Sequence, residues 1–331
     1  MKTAILNLPL LLAFVTLTNA QERPAARGRA AEKGETYIDP AKAGPDFAVQ
    51  GEYVGELAGG KGKIGVDVIA LGDDKFQAVF FAGGLPGDGW DGKSRTEVQG
   101  NREGEKTTFA GAYDATIENG SMTGKSEAGD SFSLKRVTRV SPTQGAKAPA
   151  GAVVLFDGTN TGAWENGKMD ERHLLESGTK TKKKYQDFTL HVEFLLPFKP
   201  FARDQERGNS GIYIQDRYEM QILDTFGHKP EFNGMGSTYR QTAPLINMCY
   251  PPLQWQTYDI DFTAAKFDSS GRKTRNAVVT ARVNGVLVQD HTELTNKTGA
   301  GKPEGPEAGP IQLQGHNNPV FFRNIWVIEK Q

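Results

Sequence analysis

From about residue 46 onward, apolar and polar positions alternate with a period of two. Tyr53-Val54-Gly55-Glu56-Leu57 is followed by Ile64, Val66 and Val68 interleaved with Gly65, Asp67 and Ile69, and then by residues 75–81. Short alternating runs separated by Gly and Asp predict half-buried strands. Residues 108–113 continue the series. Residues 115–118 and 121–124 flank Asn119-Gly120, whose positive φ angles suit a type I′ turn, so they predict a hairpin. Residues 131–137 close this unit. Residues 141–150, rich in Pro, Ala and Gly, have no apolar pattern and predict a linker.

A second unit, residues 151–331, repeats the pattern. Residues 153–156, 188–194, 211–215, 218–223, 258–262, 277–283, 286–288, 311–314 and 321–328 each predict a strand, with Asn284-Gly285 as a turn and no convincing amphipathic helix. The expectation is an all-β chain: a β-sandwich or jelly roll over 151–331, preceded by a small separate β-domain over 46–140.

The amino terminus breaks the pattern. Met1-Lys2 precedes an apolar run at residues 5–17, too short for a bilayer span, and then Thr18-Asn19-Ala20. This predicts a signal peptide (1–20) cleaved after Ala20 and a secreted or periplasmic protein without a membrane span. Residues 21–45, Ala, Pro, Gly and charge without periodicity, read as a flexible leader.

Composition narrows the function. Gly and Pro make up 56 of 331 residues, which fits many turns and argues against a helical bundle. With 39 basic and 40 acidic side chains the formal charge is −1, and −2 once Lys2 is removed, so there is no electrostatic footprint for nucleic acid. Cys249 is the only cysteine, which excludes an internal disulfide and a Cys-based metal cluster. The five histidines show no metal spacing, and there is neither a His-Glu-x-x-His motif nor a Gly-x-Ser-x-Gly elbow. Residues 87–94 match the phosphate-loop pattern, but Gly100 interrupts the required helix, and Asp88 and Asp91 would repel phosphate.

The densest polar chemistry lies in the second unit. Leu190, Val192 and Phe194 alternate with His191 and Glu193, and Tyr218, Met220 and Ile222 with Glu219 and Gln221, followed by Asp224. With the apolar faces inward, Glu193, Glu219 and Gln221 are expected on one polar sheet surface. Residues 207–211 and 312–319 add donors at its rim. The competing account of each residue is a plain solvated sheet face.

Residues 185–194, 208–224 and 309–316, with 320–325 and the opening Leu155-Phe156-Asp157-Gly158 and Trp164, resemble the 3-keto-disaccharide hydrolase family across about 151–331. The resemblance implies a concanavalin-like jelly roll. Together with the signal peptide, it implies an exported enzyme acting on a carbohydrate substrate, a 3-keto-glycoside, by C2 proton abstraction and elimination or hydrolysis at C1. On this reading Glu193, Glu219 and His316 fill the charged roles. Asn209, Gln221, Gln314, Arg323 and Asp224 contact the sugar, and a divalent cation on the carboxylates and His316 would serve as the electrophile. The alternative is a non-catalytic carbohydrate-binding module of the same fold. Residues 195–207 are an insertion expected to reshape the rim.

Overall fold

The computed structural model describes residues 34–330. The signal peptide expected at 1–20 and the first part of the leader lie outside the described residues.

Eight antiparallel strands close into a barrel: β1 (Gly51–Leu57), β2 (Lys63–Gly72), β3 (Lys75–Ala82), β4 (Arg95–Glu103), β5 (Lys106–Phe109), β6 (Tyr113–Glu118), β7 (Ser121–Ser126) and β8 (Ser131–Val137). Each pairs with the next, and β8 returns to β1. Alternation explains the closure. Ile64, Val66, Val68 and Ala70 of β2 meet Phe76, Ala78 and Phe80 of β3 in a barrel interior filled by side chains. The hairpin predicted at Asn119-Gly120 forms, both residues at positive φ. Strand β4 is not marked by the sequence pattern, in which Gly100 counts only against a helix after residues 87–94. In the fold that glycine makes room, since a Cβ there would lie 2.4 Å from the Phe109 ring. Residues 87–94 open no helix, and the Asp91 carboxylate accepts bonds from the Lys93 and Ser94 amides in a tight turn.

The second unit is a two-sheet sandwich built from β9 (Val153–Phe156), β10 (Trp164–Glu165), β11 (Leu175–Glu176), β12 (Thr179–Thr181), β13 (Phe188–Leu195), β14 (Asn209–Ile214), β15 (Tyr218–Leu223), β16 (Trp255–Thr263), β17 (Lys266–Phe267), β18 (Lys273–Arg275), β19 (Ala277–Val283), β20 (Val286–Leu294), β21 (Ile311–Leu313) and β22 (Phe321–Glu329). One sheet runs β11-β22-β13-β16-β19-β20, with β9 also on β22. The other runs β10-β12-β21-β14-β15, and β17-β18 is a separate ribbon. Leu190, Val192, Phe194, Ile260 and Phe262 of the first sheet share one core with Ile212, Ile214, Met220, Ile222 and Leu313 of the second. At the edge of β15 the Gln221 amide donates to the Ser237 carbonyl (3.0 Å) and the Tyr239 amide to that of Glu219 (2.9 Å), so residues 236–239 cover the strand.

Barrel and sandwich are packed together. Ile69, Val79 and Phe81, on the outer face of β2 and β3, belong to the sandwich core. In return Phe198, from the 195–207 insertion, belongs to the barrel core. The insertion is therefore a docking element. It also orders part of the expected leader: Tyr37 and Phe198 exchange two backbone hydrogen bonds (3.0 and 2.9 Å), and Phe47 of the short helix Gly44–Val49 lies against the Phe198 ring. The expectation of a flexible 21–45 is corrected for residues 34–45, because the half-buried Tyr37 and Phe47 rings anchor them on the buried Phe198 ring. Among the described residues no helix is long and apolar enough to cross a membrane.

Phe198 is wholly buried. Phe198→Ala is expected to lower the unfolding free energy by about 3–5 kcal/mol, read by denaturant unfolding. A loss under about 1 kcal/mol would mean that the barrel core does not need this ring.

Candidate functional site

The outer face of the five-stranded sheet carries the site. In the β14–β15 ladder Tyr213 stands opposite Glu219 and Gly211 opposite Gln221, and Gln312 of β21 flanks Tyr213. Because Ile212, Met220 and Ile222 point into the core, alternation turns Asn209, Gly211, Tyr213, Glu219 and Gln221 outward. Three irregular segments wall this face: residues 204–206 with Gln205, residues 239–240, and residues 298–300. Gln314 and His316 complete a cavity of about 270 Å³.

Glu219 is 3% exposed, and its Oε2 accepts a hydrogen bond from the Tyr213 hydroxyl at 2.8 Å. Burial raises its pKa to about 7, with the Tyr213 bond pulling the other way. Burial also raises the Tyr213 phenol, which keeps it a donor. Gly211 provides the space for the carboxylate, since a Cβ there would lie 2.6 Å from Glu219 Oε1. The Gln205 Oε1 accepts from Gln221 Nε2 (3.1 Å) and Asn209 Nδ2 (3.3 Å), which aims both amides. Asn209 Oδ1, Gln221 Oε1 and Gln314 Oε1 are buried without a partner. Unpaired acceptors lining one cavity suit a ligand that brings hydroxyl donors. Among the described residues Arg240 is the one Lys or Arg in the wall, held at φ 60° with its guanidinium near the Tyr239 ring.

The structure thus brings together Glu219, His316, Asn209, Gln221 and Gln314, and it separates Glu193, Arg323 and Asp224 from them. The expectation that Glu193 and Glu219 share one surface is corrected: β13 and β15 belong to opposite sheets, so their polar faces point away from each other. Glu193 lies beneath the 141–150 segment. It accepts bonds from Arg323 Nε (2.7 Å), Asn324 Nδ2 (2.8 Å) and the Gly145 amide. Burial opposes its charge, but the bonds from His191, Asn324, Gly145 and Arg323 win and hold its pKa at about 2. His191 bonds Asp259 (2.6 Å) and stacks on Trp326, whose indole donates to the Ala146 carbonyl. Asp224 is buried in an ion pair with Arg207 (2.8 Å).

Sequence reasoning missed Tyr213, Gln205, Tyr239 and Arg240. Tyr213 was within reach, since it shares parity with Asn209 on one strand. The others sit in irregular segments, where no periodicity operates. For the expected divalent cation, the wall offers only Glu219 and His316 as carboxylate and imidazole donors. Among the described residues no three His, Cys, Asp or Glu side chains gather to hold a metal.

Fold and site together define a jelly-roll sandwich whose outer sheet face carries an amide-walled polar cavity around one buried carboxylate, with a filled β-barrel in front. Residues 151–328 match the 3-keto-alpha-glucoside-1,2-lyase-like domain, and the chain belongs to that family. Among solved structures, a candidate glycosyl hydrolase from Parabacteroides distasonis is 35% identical with a TM-score of 0.51, over 55% of this chain and 85% of its own. A second candidate glycosyl hydrolase from that organism is 17% identical with a TM-score of 0.40, over 55% of this chain and 94% of its own. No curated protein matches the sequence.

The two glutamates should behave oppositely. The raised pKa of Glu219 gives stability that is complete below about 4.5 and is lost as pH rises to about 7, about 3 kcal/mol in all. Glu219→Gln should therefore flatten the stability profile across that window. For Glu193 the lowered pKa gives stability that is present above about 4.5 and lost as pH falls toward 2. Glu193→Gln should cost about 3 kcal/mol at neutral pH. Denaturant unfolding from pH 3 to 8 checks both, and equal profiles for the two variants would contradict the assigned environments.

Proposed function

We propose that the cavity binds a 3-keto-glycoside and cleaves it at C1, with Glu219 as the proton-abstracting base. The observation that carries the reading is this carboxylate, buried beneath unpaired amide acceptors and poised between its charged and neutral forms near neutral pH. Family membership and a 35% identical candidate glycosyl hydrolase support action on a glycoside.

A ketone at C3 acidifies the C2 hydrogen. Glu219 takes that proton, and the C2–H electrons pass into an enolate on C2, C3 and the ketone oxygen. Collapse of the enolate restores the ketone, forms the C1–C2 double bond and breaks the bond from C1 to the aglycone oxygen, which leaves with a proton. Water added across the double bond would complete a net hydrolysis. Asn209, Gln221 and Gln314 accept the sugar hydroxyls. Arg240 supplies positive charge for the enolate oxygen, and His316 supplies a proton for the leaving oxygen. The Tyr213 hydroxyl holds the base in place. We infer from the signal peptide expected at residues 1–20 that this chemistry takes place outside the cytoplasm.

Incubated with a 3-keto-glucoside, the full chain should release the aglycone, at a rate that rises with pH through about 7 as Glu219 ionises. Glu219→Gln should lower kcat about 10²- to 10⁴-fold while still binding the sugar. Full activity in Glu219→Gln would remove it as the base. Glycan binding without any release by the native protein would favour the carbohydrate-binding alternative.

A further inference from the structure

The family match begins at residue 151, so the barrel lies outside it, and no barrel residue lines the cavity. Several of its contacts nevertheless converge on the segment that does. We propose that the barrel is a positioning module for the cavity, acting through Gln50 and Arg207 to hold Gln205 against Asn209 and Gln221. The effect on turnover rests on the reaction proposed above, whereas the positioning itself does not.

The end of β2 lies against the segment between β13 and β14. Arg203 Nη2 donates to the Leu71 carbonyl (2.6 Å), and Arg207 Nη1 to the Ala70 carbonyl (3.2 Å). Arg207 Nη2 donates to Gln50 Oε1 (3.3 Å), which also accepts from the Ala70 amide (2.9 Å). Gln50 and Arg207 are 1% and 2% exposed, so these bonds form away from competing water. Between the two anchored arginines lies the single turn Asp204–Glu206, closed by the Arg207 amide donating to the Asp204 carbonyl (3.1 Å). The turn has no buried residue of its own; besides its bonded flanks, the Glu206 carbonyl accepts from Lys199 Nζ (2.7 Å) and the Gln205 carbonyl from Asn209 Nδ2 (2.8 Å). Both ends are tied to the barrel, and its middle residue is Gln205, whose Oε1 receives both site amides and whose Nε2 donates to the Asn233 carbonyl (3.1 Å).

A second segment of the wall is tied to the same module. Arg207 Nε pairs with Asp224, where the long 224–254 connection begins, and Arg95 of β4 donates to the Gly227 carbonyl (2.6 Å). Ile69 packs so closely on Gly227 that a Cβ there would meet it at 2.6 Å. This connection goes on to present Tyr239 and Arg240 to the cavity. A barrel whose interior is filled offers its outer wall, and here that wall supports two of the three irregular segments of the site, the 204–206 turn and the connection that carries residues 239–240.

The test uses the full chain carrying Gln50→Ala, with Arg207→Lys as a second variant that keeps the charge beside Asp224 but loses the guanidinium fork. Hydrogen exchange without ligand should speed up about tenfold in peptides spanning residues 203–210, with β16 and β19 unchanged. Unchanged exchange at 203–210 in a folded variant, or an equal rise across the sandwich, would overturn the proposal. If Gln50→Ala does not fold, Arg207→Lys decides by the same criteria. With a turned-over substrate, Gln50→Ala should raise KM about fivefold, the worth of one hydrogen bond, and leave kcat and the pH profile set by Glu219 within twofold. In a Gln205→Ala background the same substitution should add nothing to KM, because its effect runs through Gln205. Additive effects on KM would overturn the route. If the native chain turns over no 3-keto-glycoside, the proposed function fails, and the exchange measurements still decide the positioning role.

Discussion

Two sheets can stack only through their apolar faces, and in this protein almost everything else follows from that constraint. Strands β13 and β15 carry the same alternation, with one acid at the same phase in each. Side by side in one sheet, their polar residues would form a single surface. Stacked across a core of Leu190, Val192, Phe194, Met220 and Ile222, they must face in opposite directions. Each polar face then meets a different neighbour: the 141–150 segment covers one, and long irregular connections hollow a cavity over the other.

Those neighbours decide what each carboxylate does. Glu193 and Glu219 are both buried, and burial alone would raise both pKa values. Around Glu193 an Arg, an Asn, a His and a backbone amide stabilise the anion, so the group is locked in its charged form and serves to fasten the chain between the two modules. Around Glu219 a single phenol donates, which does not offset the burial. A group able to exchange a proton near neutral pH results from that deficit of donors. Gly211 keeps the space beside it open.

The barrel and the sandwich are each topologically complete, yet neither buries its apolar surface alone. Ile69, Val79 and Phe81 leave the barrel to join the sandwich core, while Phe198 makes the reverse journey. This exchange explains the 195–207 insertion, whose Phe198 ring enters the barrel core while Arg203 and Arg207 bond the end of β2. The same insertion orders residues 34–45 through Tyr37 and contributes Gln205 to the cavity wall.

The sequence by itself determined what short-range periodicity controls. Strand positions such as Tyr218–Leu223 and Ala277–Val283, the Asn119-Gly120 hairpin and the all-β sandwich were all readable, because alternation records which residues of a strand share a face. The same logic put Glu219 and Gln221 on one face, while Asn209 is read from the sequence only as a donor at the rim. Only the tertiary structure decided which sheet each strand joins, because alternation distinguishes the two faces of a strand but carries no label for its sheet. That choice removed Glu193 and Arg323 from the cavity, buried Asp224 against Arg207, and brought in Gln205, Tyr239 and Arg240 from irregular segments. It also turned Gly100 from a mark against a helix into the space that the Phe109 ring requires. Such decisions depend on contacts between residues far apart in the chain, and the local pattern of polar and apolar positions does not record them.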